Sequence, residues 1–302
     1  MKRTITHLLQ AAAVLALTAA CQADLPPEQD GSLVPDPNAP IELSGNAPIE
    51  TTANAAVTRT DNSQLPFKLY AVPDGSATWP ATPYINAGAA NLASGSGNSR
   101  SISTTSTYYW PVGNRTLRFI GVMKADGTNI ALSNGTVALA AGEGNGKDIL
   151  LSNNATGNKS ASSVSMPFNR LMARLIVKPG SANKQVVTCN IAGGSTGASY
   201  NVLSSGISGK SGTYTINYST NDGEKVYYLI PGTSISQLTS VVAGSTSKGT
   251  VNLTDASGTA TSFTTAAGDS YTIEVTAEFA TLTIKTASGS IGWESGGDIT
   301  LS

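Results

Sequence analysis

The reactive side chains of this sequence are few, and their types exclude most chemistry. Among 302 residues there is one histidine, His7, and there are two cysteines, Cys21 and Cys189. Beyond residue 7 no Ser–His or Cys–His pair, histidine metal site or imidazole acid–base step can be assembled. A catalyst would have to work through carboxylates, as glycoside hydrolases do. The candidates Asp126, Glu143, Asp148, Glu274 and Glu278 are scattered, and several fall in turns or on outer faces of strands. The acidic and amide residues lack the spacing of a calcium loop. The expectation is therefore a protein that is not an enzyme and holds no metal. Cys189 has Val187-Thr188 and Asn190-Ile191 as neighbours, with no basic group to make its thiol reactive. It reads as a small apolar residue buried in a strand. Trp79, Tyr84 and Trp110 could stack on sugar rings; Tyr109 and Trp110 read more simply as core.

Cys21 stands apart. Lys2 and Arg3 precede an apolar run over 8–17, and Ala19-Ala20 lie directly before the thiol. This is the pattern of a secretory signal peptide. The run is shorter than the ~20 residues that span a bilayer. The cysteine in that place resembles a bacterial lipoprotein signal. The resemblance implies removal of residues 1–20 and a diacylglycerol and acyl chain on Cys21. No other prosthetic group or cofactor is expected. With Cys21 lipidated, Cys189 has no intramolecular partner, so a disulfide framework is excluded.

Charged residues make up 12% of the chain and the net charge is −1, so nucleic acid is not an expected partner. Ser, Thr, Gly, Ala and Asn dominate, which suits strands and turns over long helices. Residues 21–42 carry Pro26, Pro27, Pro35, Pro37 and Pro40 and read as a flexible tether. Alternating segments follow at 67–72, 117–123, 148–151, 173–177, 186–191, 214–218, 226–230, 271–276 and 282–285, with turn signals between them. Short strands of this kind predict an all-β fold of sandwiches. The length after residue 20 suggests about two domains, divided here as 43–165 and 166–302.

Several pieces recur in a recognisable order. Tyr109-Trp110-Pro111 precedes the strand at 117–122, and Asp148-Ile149-Leu150-Leu151 follows. Met166-Pro167-Phe168-Asn169-Arg170-Leu171 leads into 173–177, and Leu229-Ile230-Pro231-Gly232 comes later. Gly268-Asp269-Ser270-Tyr271-Thr272-Ile273 and Gly292-Trp293 complete the series. Together they resemble the fimbrillin family of Bacteroidetes. The resemblance implies two tandem transthyretin-like β-sandwiches in a fimbrial subunit or accessory pilin. It implies export to the cell outer membrane as a surface-exposed lipoprotein, and a place in a fimbrium that supports cell adhesion. It further implies cleavage by an arginine-specific protease near the first strand, where Arg59 is followed by Thr60. A strand from another pilin subunit then fills the opened groove, in the manner of β-strand addition. Ile299 and Leu301, on one face of the last residues, are the candidate donor. The alternative is a permanently anchored surface lipoprotein or pilus tip that binds glycan or another host or bacterial ligand.

Overall fold

The computed structural model describes residues 33–47, 64–94, 100–161, 163–180, 185–276 and 280–285. Among them every regular element is a strand, apart from two short 3-10 turns at Asn145–Lys147 and Thr220–Asp222. The expected all-β class is found.

The first sheet is built from short alternating strands. Its order is Val164–Pro167, Leu43–Asn46, Arg100–Thr104, Ile85–Leu92, Leu65–Pro73, Leu117–Lys124, Ile149–Gly157 and Asn169–Arg170. Only Phe168 separates the first and last strands of that order in sequence. The sheet therefore curls round, and its two ends meet on one continuous segment that bends at Phe168. Inside the curl, Phe67, Leu69 and Ala71 pack with Leu117, Phe119 and Phe168. Phe168 meets Phe67 edge-on, with ring centroids 5.1 Å apart. Gly121 makes room for the bend: a Cβ there would lie 2.6 Å from Phe168 Cζ.

The opposite faces of the same strands are also buried. Tyr70, Val72, Ile120, Val122, Ile149 and Leu151 form a second core with Ala198, Val202, Tyr228 and Ile230. This is period-two alternation with apolar residues on both sides, so one sheet carries two cores. The second core joins the two halves of the chain. Thr136–Ala140 pairs with Gly197–Asn201, and Gly142–Glu143 pairs with Lys225–Leu229.

The second large sheet runs Thr215–Ser219, Val187–Ala192, Gln237–Ala243, Thr246–Thr254, Ala280–Lys285, Ser270–Val275, Ala173–Pro179, Lys225–Leu229 and Gly142–Glu143. Its interior includes Leu175, Val177, Ile191, Tyr218, Leu229 and Ile273. Cys189 is buried there as expected, directly across from Tyr218.

Two sequence expectations meet a different local structure. The division placed between residues 165 and 166 falls within the strand Val164–Pro167. Residues 33–42 depart from the expected tether: Pro35–Pro40 lies antiparallel to Tyr109–Pro111. Prolines are compatible with a sheet edge, where their missing N–H faces away from the ladder. Here the bonds come from non-proline neighbours. Ile41 N–H donates to Tyr108 O at 2.8 Å, and Val112 N–H donates to Val34 O at 2.7 Å.

The packing at the bend gives a direct test. Gly121→Val should cost roughly 1–3 kcal/mol through overpacking against Phe168, seen as a lower melting temperature. Adding Phe168→Leu should recover part of the loss; no recovery would mean that Gly121 is needed for another reason.

Candidate functional site

The described residues hold no group of three or more His, Cys, Asp or Glu placed to bind a metal. The carboxylates considered above are not brought together. Asp126 accepts hydrogen bonds from Thr128 N–H and Oγ1–H within its own turn, at 2.8 and 2.7 Å. Glu143 pairs with Lys225 at 2.8 Å, and Glu274 pairs with Lys178 at 2.8 Å. Asp148 is fully buried against Arg170, tying the end of the first sheet to the turn before Ile149. Glu278 lies outside the described residues.

The aromatic candidates are likewise occupied. Trp110 is buried edge-on to Phe119, with ring centroids 5.6 Å apart. Tyr84 is buried, and its hydroxyl donates to Tyr109 O at 2.7 Å. Burial pushes its phenol up to about 12. Trp79 sits edge-on to Tyr70 and covers Gly135. Trp110 and Tyr84 are buried and present no ring face for stacking on sugar, whereas Trp79 is half-buried.

The unusual feature of the fold is the strand Leu43–Asn46. It lies inside the first sheet although it comes from near the start of the described chain. On one side it runs parallel to Val164–Pro167, with Leu43 opposite Val164 and Gly45 opposite Met166. On the other it runs antiparallel to Arg100–Thr104, with Leu43 opposite Ile102 and Gly45 opposite Arg100. Val164 N–H donates to Glu42 O at 2.9 Å, and Phe168 N–H donates to Asn46 O at 2.8 Å.

Alternation explains why this segment is held. Leu43 and Gly45 are buried, and Ala39, Ile41 and Ala47 pack against the same core. Leu33 is also in that core. The slot is narrow at Gly45, where a Cβ would lie 2.7 Å from Met166 O and 3.1 Å from Ile102 Cδ1. On the outward side, Asp36 faces Lys159 at 3.9 Å. Residues 41–59 read from sequence as weakly strand-like, which agrees with the strand at Leu43 and Gly45, but their partners and the parts played by Leu33, Asp36 and Lys159 were not legible. The odd-numbered series Ala39, Ile41, Leu43, Gly45, Ala47 was the available signal, but the prolines before it suggested a free tether.

The inserted strand reaches the next described residue, Gln64, only through residues 48–63. Arg59 and Thr60 fall in that connection, outside the described residues, as do Cys21, Ile299 and Leu301.

The fimbrillin-like family model matches residues 51–292. The chain belongs to the fimbrillin-like family. This is a family of fimbrial subunits, and a pilus-subunit role is the function that membership supports. One solved structure shares the fold, and others are similar at lower scores. A candidate cell adhesion protein from Bacteroides uniformis is 15% identical, with a TM-score of 0.53 over 82% of this chain and 99% of its own. A candidate cell adhesion protein from Bacteroides ovatus is 20% identical, with a TM-score of 0.48 over 82% and 96%. A fimbrial assembly protein from Parabacteroides distasonis is 11% identical, with a TM-score of 0.48 over 82% and 95%. No curated protein matches the chain.

This fimbrillin's one described cysteine supplies a solution test. Burial raises the Cys189 thiol from 9.0 to about 11. A raised acid stabilises the fold fully below 9.0, and that contribution is lost as the pH rises through about 11. Cys189 should resist a thiol reagent at pH 8 in the native protein and react on unfolding. Cys189→Ser should flatten the alkaline fall in melting temperature. Prompt native-state reaction would show that the strand opens.

Proposed function

We propose that this fimbrillin is exported as a lipid-anchored precursor and enters a pilus by exchanging its strand Leu43–Asn46 for a strand of another subunit. The observation that carries this reading is the position of that strand. It pairs on both sides within the first sheet, yet it lies on the N-terminal side of Arg59.

A diacylated Cys21 would hold the precursor at the outer membrane, with the sheet complete. An arginine-specific protease acting between Arg59 and Thr60 would make everything up to residue 59 a separate peptide. Burying Leu33 and Leu43 contributes about 1.5–3 kcal/mol per side chain, a modest hold for a segment no longer covalently attached. Its departure leaves Arg100–Thr104 and Val164–Pro167 facing each other with unmade backbone hydrogen bonds. Such an edge recruits a strand. The candidate donor carries Ile299 and Leu301. The same cut removes the lipid, so the subunit passes from membrane to fimbrium, where the assembly supports adhesion to a host or bacterial surface.

The test treats the full chain with an arginine-specific protease. The expected products are a new N-terminus at Thr60, ladders on gels and filaments by electron microscopy. Arg59→Ala should leave the protein intact and monomeric. Trimmed, folded protein that stays monomeric at high concentration would refute strand exchange.

A further inference from the structure

We propose that the edge strand Thr215–Ser219 is a side-by-side contact between two copies of this chain. It pairs antiparallel with the same strand of a second copy, about a two-fold axis at Ile216. The strand belongs to the second large sheet, so this contact is separate from the exchange of Leu43–Asn46 in the first.

Thr215–Ser219 ends its sheet, and among the described residues no strand lies along its outer edge. It pairs with Val187–Ala192 without a slip, from Thr188 opposite Ser219 to Ala192 opposite Thr215. In the same register Gly193 N–H donates to Tyr214 O at 2.8 Å. Backbone groups alternate in direction along an antiparallel ladder. Tyr214, Ile216 and Tyr218 therefore bond inward, and the N–H and C=O of Thr215 and Asn217 point out of the sheet. Ser219 closes the row, because its N–H donates to Asp222 Oδ2 at 3.2 Å within a capped turn.

Proteins blunt such edges with lysine, proline or a bulge. Other sheet ends of this chain carry those devices. Gly206–Ser211 has Lys210 and a left-handed Gly209, at φ 63°. Thr246–Thr254 has Lys248 and a left-handed Gly249, at φ 71°, and its pairing slips twice. Pro35–Pro40 has Pro35, Pro37 and Pro40. Thr136–Ala140 is closed at its start, where Thr136 and Ser133 exchange backbone bonds and Trp79 covers Gly135. It then runs on into Gly142–Glu143, which pairs in a different sheet. Thr215–Ser219 has no proline, glycine or charged residue and no slip.

The open row is complementary to itself. With Ile216 of the two copies opposite each other, Thr215 of each faces Asn217 of the other. Each such pair exchanges two backbone hydrogen bonds. Every outward group of Thr215 and Asn217 is then satisfied, and Ser219 keeps its bond to Asp222. Centring the contact on Asn217 would instead set Thr215 C=O against the engaged Ser219 N–H and leave it unmade. The exposed side chains that meet are threonine and asparagine, so no like charges are brought together. The antiparallel arrangement also sets Asp222 and Glu224 of the two copies at opposite ends. An isologous contact of this kind needs no second surface. It is weak by itself, and repetition between closely held copies multiplies it.

The test uses uncut full-length chain, with Cys21→Ser in every sample so that its thiol takes no part. Hydrogen-bonded antiparallel residues have Cα atoms about 5.5 Å apart, within reach of a disulfide. Thr215→Cys mixed with Asn217→Cys and oxidised at high concentration should give a linked dimer in clear excess over either variant alone. Asn217→Pro removes an outward N–H and spares the ladder to Val187–Ala192. It should lower the association constant, measured by sedimentation equilibrium, about tenfold, the scale of two lost backbone hydrogen bonds. Asn217→Lys keeps every backbone group and carries the test if the proline disturbs the strand. It should weaken association at low salt and recover at high salt. A mixture that cross-links no better than the single variants, or association that ignores Asn217→Lys, would overturn the contact. Nothing is cut in these samples, so neither result bears on strand exchange.

Discussion

A β-strand with an unpaired edge cannot be left alone. Each residue carries a donor and an acceptor, and an open row of them is a template for another chain. The first sheet of this fimbrillin answers that constraint by curling until its ends meet on the segment that bends at Phe168. The closure has one component that differs from the rest. Leu43–Asn46 arrives from the start of the described chain and completes the ring between strands that come 50 to 120 residues later. The close approach of Gly45 to Met166, the bend at Phe168 and the notch at Gly121 all serve a sheet without a gap.

That arrangement separates two kinds of stability. The bulk of the first core, from Phe67 to Phe168, belongs to chain beyond residue 63. The segment before residue 48 contributes few side chains, chiefly Leu33, Ile41 and Leu43. A body held together mostly without its closing strand can lose that strand and keep its shape, at the cost of an open edge. A strand held by many large side chains would resist replacement; one held by none would leave early. This one lies between, with a ladder of four residue pairs on one flank and three on the other.

The all-β class and most strand positions were legible from alternation alone, because buried faces repeat every second residue. Tyr271, Ile273 and Val275 illustrate this, as do Leu175 and Val177. Strand partners were not legible. Nothing in Val137-Ala138-Leu139 says that it pairs with 197–201 instead of a nearer strand, since pairing is decided by long-range geometry. The tether was misread over 33–42 for a local reason: prolines weaken the expectation of a ladder, yet an edge strand needs few donors. Trp79 and Tyr84 invited a ligand reading because they stand in turn-rich sequence. Their actual neighbours, Tyr70, Gly135 and the carbonyl of Tyr109, lie far along the chain or across a fold.

The pairing of Thr136–Ala140 with Gly197–Asn201, and of Gly142–Glu143 with Lys225–Leu229, has a mechanical meaning. The two halves are not beads on a string. Each reaches into the other, and Tyr70, Ile120 and Tyr228 fill the seam. Drawing the halves apart means shearing two ladders while wetting an apolar seam. In a fibre under tension, each subunit would behave as a stiff link, and any extension would have to come from the joints between subunits.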